Sequence, residues 1–424
     1  VSQPTSADEG DRREALGALV ATWLRHHGPA DPDGVAVEHP VVVEVETVGD
    51  GLVDVLAEVG GRLAHVVLGL RRPGEELHYL GAADQAVLGL FEAVDGLRVA
   101  VDALDDADLA PRVLAAVTGE DRPVSRVVPL ARSDLGVVLA FDDRCRLTVF
   151  PWVGPGRHPG VEMLVALDEV GFKDMAGLQA AWSRGGRDLG VVQELVPGSV
   201  GGWAVALTSL RELYASGGAP EDVPGDFGPS ARALGAMTAR MHLALDRAFG
   251  RRPGDVAAWV ARVEEVVAAR HPALLETPEV AQALAALGAA RLHAPMLRTH
   301  GDLHLGGTAR TDQGWILLDC MAGGRPPGHP TPEFRSPLAD VADLLWSLHH
   351  VAAVAAAERD PTGRLGLAPR ARAWEARNRR AYLSGYLGTP GIGGLVPGDR
   401  EALRRLAAVF ELERAAHRDG GPVA

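Results

Sequence analysis

Lysine is almost missing from this sequence: Lys173 is the only one in 424 residues, although Lys and Arg together number 42. A Walker-type phosphate loop needs Gly-Lys followed by Ser or Thr. Lys173 follows Phe172, so the chain has no such loop. Cysteine is nearly as scarce. Cys145 and Cys320 stand alone, with no Cys-x-x-Cys pair, which excludes a disulfide framework or a zinc ribbon and favours a reducing, cytoplasmic setting. No apolar run approaches the roughly 18 residues of a membrane span, so no membrane association is expected. Positive charge is in deficit: the net charge of −14 has the wrong sign for a nucleic-acid partner. The first residues, VSQPTSADEGDRREALG, are acidic and polar, unlike a signal peptide. Neither a His-Glu-x-x-His helix nor a Gly-x-Ser-x-Gly elbow is found.

What is present describes a folded chain. A hydrophobic fraction of 47% argues against disorder, and the length predicts two or three domains. Residues 11–27 carry apolar side chains at Leu16, Leu19, Val20 and Leu24, a helical period. Residues 41–48, 52–58, 63–70 and 97–101 read as strands, and 107–119 as a helix. Val127–Leu130, Gly136–Phe141 and Arg146–Phe150 are further strands, with Asp142-Asp143 as the turn between the last two. A helix over Val161–Val170 and a strand over Val191–Leu195 follow. From 203 onward the pattern is mainly helical, over Ala231–Ala248, Pro253–His271, Pro278–His293, 371–387 and 399–418. One more helix starts at Ser336-Pro337, with Ser as cap and Pro as first helical residue. The expected fold class is α+β and bilobal: an N-terminal cap over 1–105, a small mixed nucleotide lobe over 106–198, and a helical lobe over 199–424. Such a plan leaves a cleft for a nucleotide.

The chemistry concentrates in Arg298 to Cys320, RTHGDLHLGGTARTDQGWILLDC. Asp302 sits in a His-Gly-Asp loop. Asp319, 17 residues on, ends the apolar run Trp315–Leu318. Phosphoryl transfer uses one acid to receive the attacking hydroxyl's proton and another to hold magnesium on the nucleotide phosphates. Three plainer readings stay open at this point: a surface turn at HGDLH, a metal site on His300 and His304, and a simple turn aspartate at 319. Trp203 reads either as core or as a stacking surface for substrate, and Asp340 as a helix-dipole partner near its N-terminus. His26-His27 and His349-His350 read as helix-surface or core residues.

These residues carry a resemblance. His300-Gly301-Asp302-Leu303-His304-Leu305-Gly306, then Trp315-Ile316-Leu317-Leu318-Asp319, is similar to the maltokinase family, which belongs with the aminoglycoside-phosphotransferase-like kinases. Ser336–Ala342, Trp374–Arg379 with Gly385-Tyr386, Val192–Glu194 with Gly202-Trp203, Phe141–Arg144 and His158–Glu162 extend it over nearly the whole chain. The resemblance implies ATP-dependent phosphorylation of a sugar, maltose to maltose 1-phosphate, with ATP and Mg2+ as cofactors and a maltokinase or a trehalose synthase as a possible partner. It implies Asp302 as base and Asp319 as metal ligand. Glu162 would be the helix acid, and Gln193, Glu194 and Leu195 would hold adenine by their backbone. His300, His304 and Trp203 would face the substrate.

The sequence also departs from that pattern. The position expected to hold the phosphate lysine is Thr148, and Arg146, two residues earlier on the same strand face, is the cation that could replace it. The second metal position is Gly307, which has no side chain. Asp319 is followed by Cys320-Met321-Ala322, not by a second acid and glycine, and the Phe-Gly-Gly-Lys signature near the start is missing. A degenerate kinase that binds without turnover, in a regulatory role, is therefore the alternative expectation.

Overall fold

The structure, a computed structural model, describes residues 6–27, 39–80, 83–133, 135–290, 292, 294–318 and 334–418. They cluster into two compact units. Residues up to Glu162 with Gly177–Pro197 form the first. Met163–Ala176 with the described residues from Gly198 onward form the second.

The first unit opens with α1 (Ser6–His27), then β1 (Val41–Gly49), β2 (Leu52–Val59), β3 (Arg62–Arg71), the single turn α2 (Ala83–Ala86), β4 (Val87–Ala93) and β5 (Gly96–Asp102). The strands pair antiparallel in the order β1-β2-β3-β5-β4. Leu16, Leu19, Val20, Trp23 and Leu24 of α1 are buried with Val53, Val55, Ala57 and Val66 of the sheet, so the helical period marks the packed face.

Next come α3 (Ala110–Thr118), β6 (Val127–Ser133), β7 (Gly136–Phe141), β8 (Cys145–Val149), β9 (Trp152–Val153), α4 (Pro159–Glu169), β10 (Leu178–Arg184) and β11 (Arg187–Glu194). A second antiparallel sheet runs β10-β11-β8-β7-β6, while β9 pairs with β3 of the first sheet. The Asp142-Asp143 turn has φ of 50° and 55°, left-handed positions that aspartate tolerates. The Asp142 carboxylate accepts the N–H groups of Ser125 and Arg126 at 2.9 and 2.7 Å, closing the turn. Strand β10 is not anticipated from sequence. Its residues alternate exposed and half-buried, so no apolar run marks it. The Gly185-Gly186 pair, at φ 56° and 78°, is the turn signal that could have found the hairpin.

The second unit is mainly helical: β12 (Val200–Gly201), α5 (Gly202–Ser216), α6 (Gly228–Phe249), β13 (Arg251–Pro253), α7 (Val256–Arg270), α8 (Pro272–Leu275), α9 (Pro278–Gly288), β14 (Pro295–Arg298), β15 (Thr308–Thr311), β16 (Gly314–Leu317), β17 (Phe334–Arg335), α10 (Leu338–Arg359), α11 (Ala368–Leu387) and α12 (Arg400–Arg418). Helix α9 stops at Gly288, short of the expected His293. Helix α10 is capped by Pro337, one residue later than expected, although the Ser336 hydroxyl still accepts the Leu338 N–H at 3.3 Å.

Helices α6 and α11 approach backbone to backbone. A Cβ at Gly235 would fall 2.0 Å from the Tyr382 carbonyl oxygen, and one at Gly385 would fall 1.9 Å from that of Arg232. Only glycine fits at either point. Leu234, Met237, Met241 and Leu245 of α6 are fully buried. By length and composition α10 could cross a membrane, but 72% of its apolar window is buried inside the protein, the place of a core helix. That burial matters for the site, because α10 carries Asp340, Asp343, Trp346 and His350.

Candidate active site

The Asp302 loop is held by its backbone. Gly301 has φ of +85°, which lets the chain turn sharply between His300 and Asp302. The N–H groups of His300 and Gly301 both donate to the Asp340 carboxylate, each at 2.8 Å. His242 of α6 lies 3.0 Å from Asp340 through Nε2, and its Nδ1 is 2.9 Å from the Tyr386 hydroxyl of α11. Nε2 faces the carboxylate, which can only accept, so it donates there; Nδ1 faces the Tyr386 hydroxyl. Asp340 is fully buried. Burial opposes its charge, but the bonds from His242 and the loop amides outweigh it and hold its carboxyl below the usual range. Asp340 stands in the first turn of α10, where a helix-dipole partner is expected, and its oxygens also hold the loop. Three helices thus converge to fix the backbone immediately before one aspartate.

The next turn is fixed as well. His304 does not present a free imidazole. Its Nδ1 accepts the Gly307 N–H at 3.2 Å and caps the short 3-10 turn Leu305–Gly307. The Leu305 N–H donates to Ser347 of α10 at 3.1 Å. The β15–β16 hairpin then returns the chain, and the Leu318 N–H donates to the Gly307 carbonyl at 3.0 Å. Residue 318 is thus brought beside the turn that follows Asp302. Asp319, Cys320 and most of the 322–335 loop lie outside the described residues.

Asp302 itself pairs with Arg414 of α12, Nη2 to Oδ1 at 2.6 Å. The same guanidinium stands 3.3 Å from Asp343 through Nε, without hydrogen-bond alignment. Burial pushes the Asp343 carboxyl up to about 8; Arg414 pulls it down, while Asp340 and Asp302 push it further up. Arg414 also lies over the Trp346 ring, 5.7 Å from its centroid. His350 stacks on Trp346 at 4.8 Å and 12°, and Trp203 leans on His350 at 5.6 Å. Trp203 and His350 therefore belong to a row of flat side chains running away from the Asp302–Arg414 pair.

The residues expected on the nucleotide side lie in the first unit. Thr148 is 8% exposed in β8, between Val138 of β7 and Val191 of β11. Arg146, on the same strand, donates from Nη2 to Gln193 Oε1 at 2.8 Å. The N–H groups of Glu194 and Leu195 donate to the carbonyls of Gly177 and Arg144, at 2.7 and 2.9 Å. Adenine recognition by those two amides would need both bonds to open. Glu162 stands in the first turn of α4. That turn is anchored by Asp188, which accepts the His158 N–H at 2.7 Å, and by His158 Nδ1, which accepts the Gly160 N–H at 3.1 Å.

Sequence reasoning missed Arg414, Asp343, Trp346 and the loop-holding role of Asp340. A polar side chain on the apolar face of a helix, as Asp340 is beside Leu338, Val341 and Leu344, was the available signal for the last. His27, read as surface or core, groups with Asp102 and Asp105 at metal-binding distances. Arg132 already bonds both acids there, at 3.3 and 2.6 Å, so a cation occupies the group. As for magnesium, Asp302 is engaged with Arg414 and Gly307 offers no donor. The described residues alone do not make a divalent-cation site.

No known protein-family profile matches the chain. A glucosamine kinase of Streptacidiphilus jiangxiensis is 32% identical over 253 residues, 56% of this chain and 55% of that protein. The chain thus matches about half the length of this curated relative. Among solved structures, a glucosamine kinase superposes with a TM-score of 0.67 at 20% identity, covering 98% of this chain and 94% of that one. Another, a glucosamine kinase in complex with glucosamine, ADP and inorganic phosphate, gives 0.61 at 23% identity over 93% and 95%. The similarity spans both units and the N-terminal sheet, and it carries the kinase architecture that the maltokinase resemblance implies without pointing to maltokinases themselves. The chain has the bilobal α+β fold of the aminoglycoside-phosphotransferase-like kinases, with an N-terminal cap.

Proposed function

We propose that this protein transfers the γ-phosphate of ATP to a hydroxyl of a sugar. The observation that carries the reading is the His300–Asp302 loop, clamped by Asp340 and closed by the Leu318–Gly307 bond. A base for phosphoryl transfer must stay within hydrogen-bond reach of its hydroxyl, and a loop held at two amides keeps it there. Asp302 would take the hydroxyl proton as the oxygen–phosphorus bond forms and the bond from the γ-phosphorus to ADP breaks. Arg414 fixes the Asp302 carboxylate through Oδ1.

The flat faces of Trp346, His350 and Trp203 suit the apolar face of a pyranose. The acceptor proposed first is a hexose or amino sugar of the glucosamine type, because glucosamine kinases are the relatives by sequence and fold. Maltose is the second candidate, carried by the resemblance of the loop and helix motifs. Asp319 remains the proposed magnesium ligand, and the ion would offset charge on the nucleotide phosphates. Glu162, Arg146 and the 193–195 segment remain the proposed nucleotide contacts, and the cap, nucleotide lobe and helical lobe the proposed domains.

ADP release is the test, measured with ATP, magnesium and separate glucosamine, glucose and maltose. Sugar-dependent release in the wild type that disappears in Asp302→Asn supports the reading. No release with any sugar, together with no magnesium-dependent ATP binding, sinks it. Binding without release, with release recovered in the Thr148→Lys, Gly307→Gln variant, assigns the chain the non-catalytic role instead.

A further inference from the structure

The second unit holds a pocket of about 270 Å³ that shares no residue with the Asp302 loop. Phe172, Lys173 and Asp174 form one side, and Arg240, Leu243 and Arg247 the other. The three side chains of α6 are spaced three and four residues apart, so they share one face of the helix. Phe172 is 5% exposed and with Leu243 gives the pocket an apolar floor. Charge is distributed unevenly around it. Asp174 is committed to Arg240, which donates from Nε at 2.6 Å. Lys173 and Arg247 have no acidic partner among the described residues.

In a chain with 56 acidic side chains against 42 basic ones, two unpaired cations facing one concavity are unexpected. One of them is the single lysine of the sequence. Its backbone is positioned in advance: the Leu317 N–H donates to the Asp174 carbonyl at 2.9 Å, and the Ala176 N–H returns to the Leu317 carbonyl at 3.0 Å. A rim fixed in this way loses little freedom when a ligand arrives.

We propose that this pocket binds a phosphate group, free or as the monoester of a small molecule. Lys173 and Arg247 take the phosphate oxygens, and the floor of Phe172 and Leu243 receives any apolar part. The site is separate from the proposed transfer chemistry and does not depend on it.

Isothermal titration of the full chain with inorganic phosphate, and separately with phenyl phosphate, tests this. EDTA is included so that magnesium-dependent nucleotide contacts do not contribute. The expected result is one site in the wild type, weakened about tenfold or more in a Lys173→Ala, Arg247→Ala double variant and kept in Lys173→Arg. Both altered side chains are exposed, and a thermal melt confirms that the variants fold. Tighter binding of phenyl phosphate assigns the pocket to an ester, and equal binding assigns it to free phosphate. Absence of binding in the wild type overturns the proposal. So does equal affinity in the double variant, or loss of binding in Arg414→Ala alone.

Discussion

The loop around Asp302 and the strand around Thr148 are the two places where phosphoryl-transfer chemistry is expected, and they differ in what has been kept. At the loop, backbone and side chains agree: Asp340, His242 and Tyr386 form a buried relay whose only evident use is to hold two amides next to one aspartate. At the strand, the backbone is complete, with β8 paired on both sides, but the side chain at the key position is an uncharged threonine. Arg146, the cation nearby, is turned to Gln193. The pairing of β8 runs through its backbone groups and is made whichever residue stands at 148, whereas a loop whose amides satisfy a buried carboxylate fails as a unit if one member goes. The scaffold can therefore outlast the charge on the strand side and not on the loop side.

The largest effect should come from the loop. Asp302→Asn is expected to lower sugar-dependent ADP release by about 10²–10⁴-fold while leaving the melting temperature near that of the wild type. Asp340→Ala attacks the clamp instead. It leaves two amides and the His242 ring without their acceptor in a dry site, and should cost about 3–5 kcal/mol in urea unfolding. If Asp340→Ala unfolds like the wild type, the relay is not what holds the loop.

The strand side should respond in the opposite direction. Thr148→Lys with Gly307→Gln is expected to raise the ADP-release rate by about tenfold or more, since one preorganised charge is worth about 3–4 kcal/mol in such sites. A side chain at 307 has room, because a Cβ there meets only the His304 ring, at 3.8 and 3.9 Å. No gain would mean that Arg146 or another cation already does the work.

A further effect concerns pH. Asp343 has its carboxyl raised from 3.8 to about 8 in the folded chain, so between those values the folded state holds a proton that the unfolded state has lost. Stability from this group is complete below the lower value and is lost as pH rises through the upper one. Asp343→Asn should flatten the decline in stability between about pH 4 and pH 8, read as melting temperature against pH. An unchanged slope would place Asp343 outside the titrating set.

Much of the fold was legible because it is written in local periods. The α1 and α6 faces, the Asp142-Asp143 turn and the short apolar runs of β7 and β8 each occupy fewer than about 25 consecutive residues. The HGD loop was legible too, as a Gly-Asp pair before an apolar hairpin. What could not be read is what acts across distance. Arg414 reaches Asp302 from 112 residues away, and His242 reaches Asp340 from 98. On its own helix Arg414 is one arginine in a charged stretch, and nothing local separates it from Arg404 or Arg405. Asp340 was legible as a helix-start acid, but its second use, on the loop 40 residues earlier in the chain, was not. Strand β10 escaped because half-exposed edge strands have no apolar run to reveal them.

The hairpin of β15 and β16 acts as a spacer with a fixed base and a free tip. Its base is closed by the Leu318–Gly307 bond, and its tip is the exposed Asp312-Gln313 turn. The distance along the chain from residue 302 to residue 318 is therefore not what sets their separation in space. Extra residues at the tip would lengthen the ribbon and leave the base where it is. A single residue inserted between Leu317 and Leu318 would instead disturb the register at the base and the Leu318–Gly307 bond that closes it. The count of residues between the two can vary, provided that the variation is confined to one end of one ribbon.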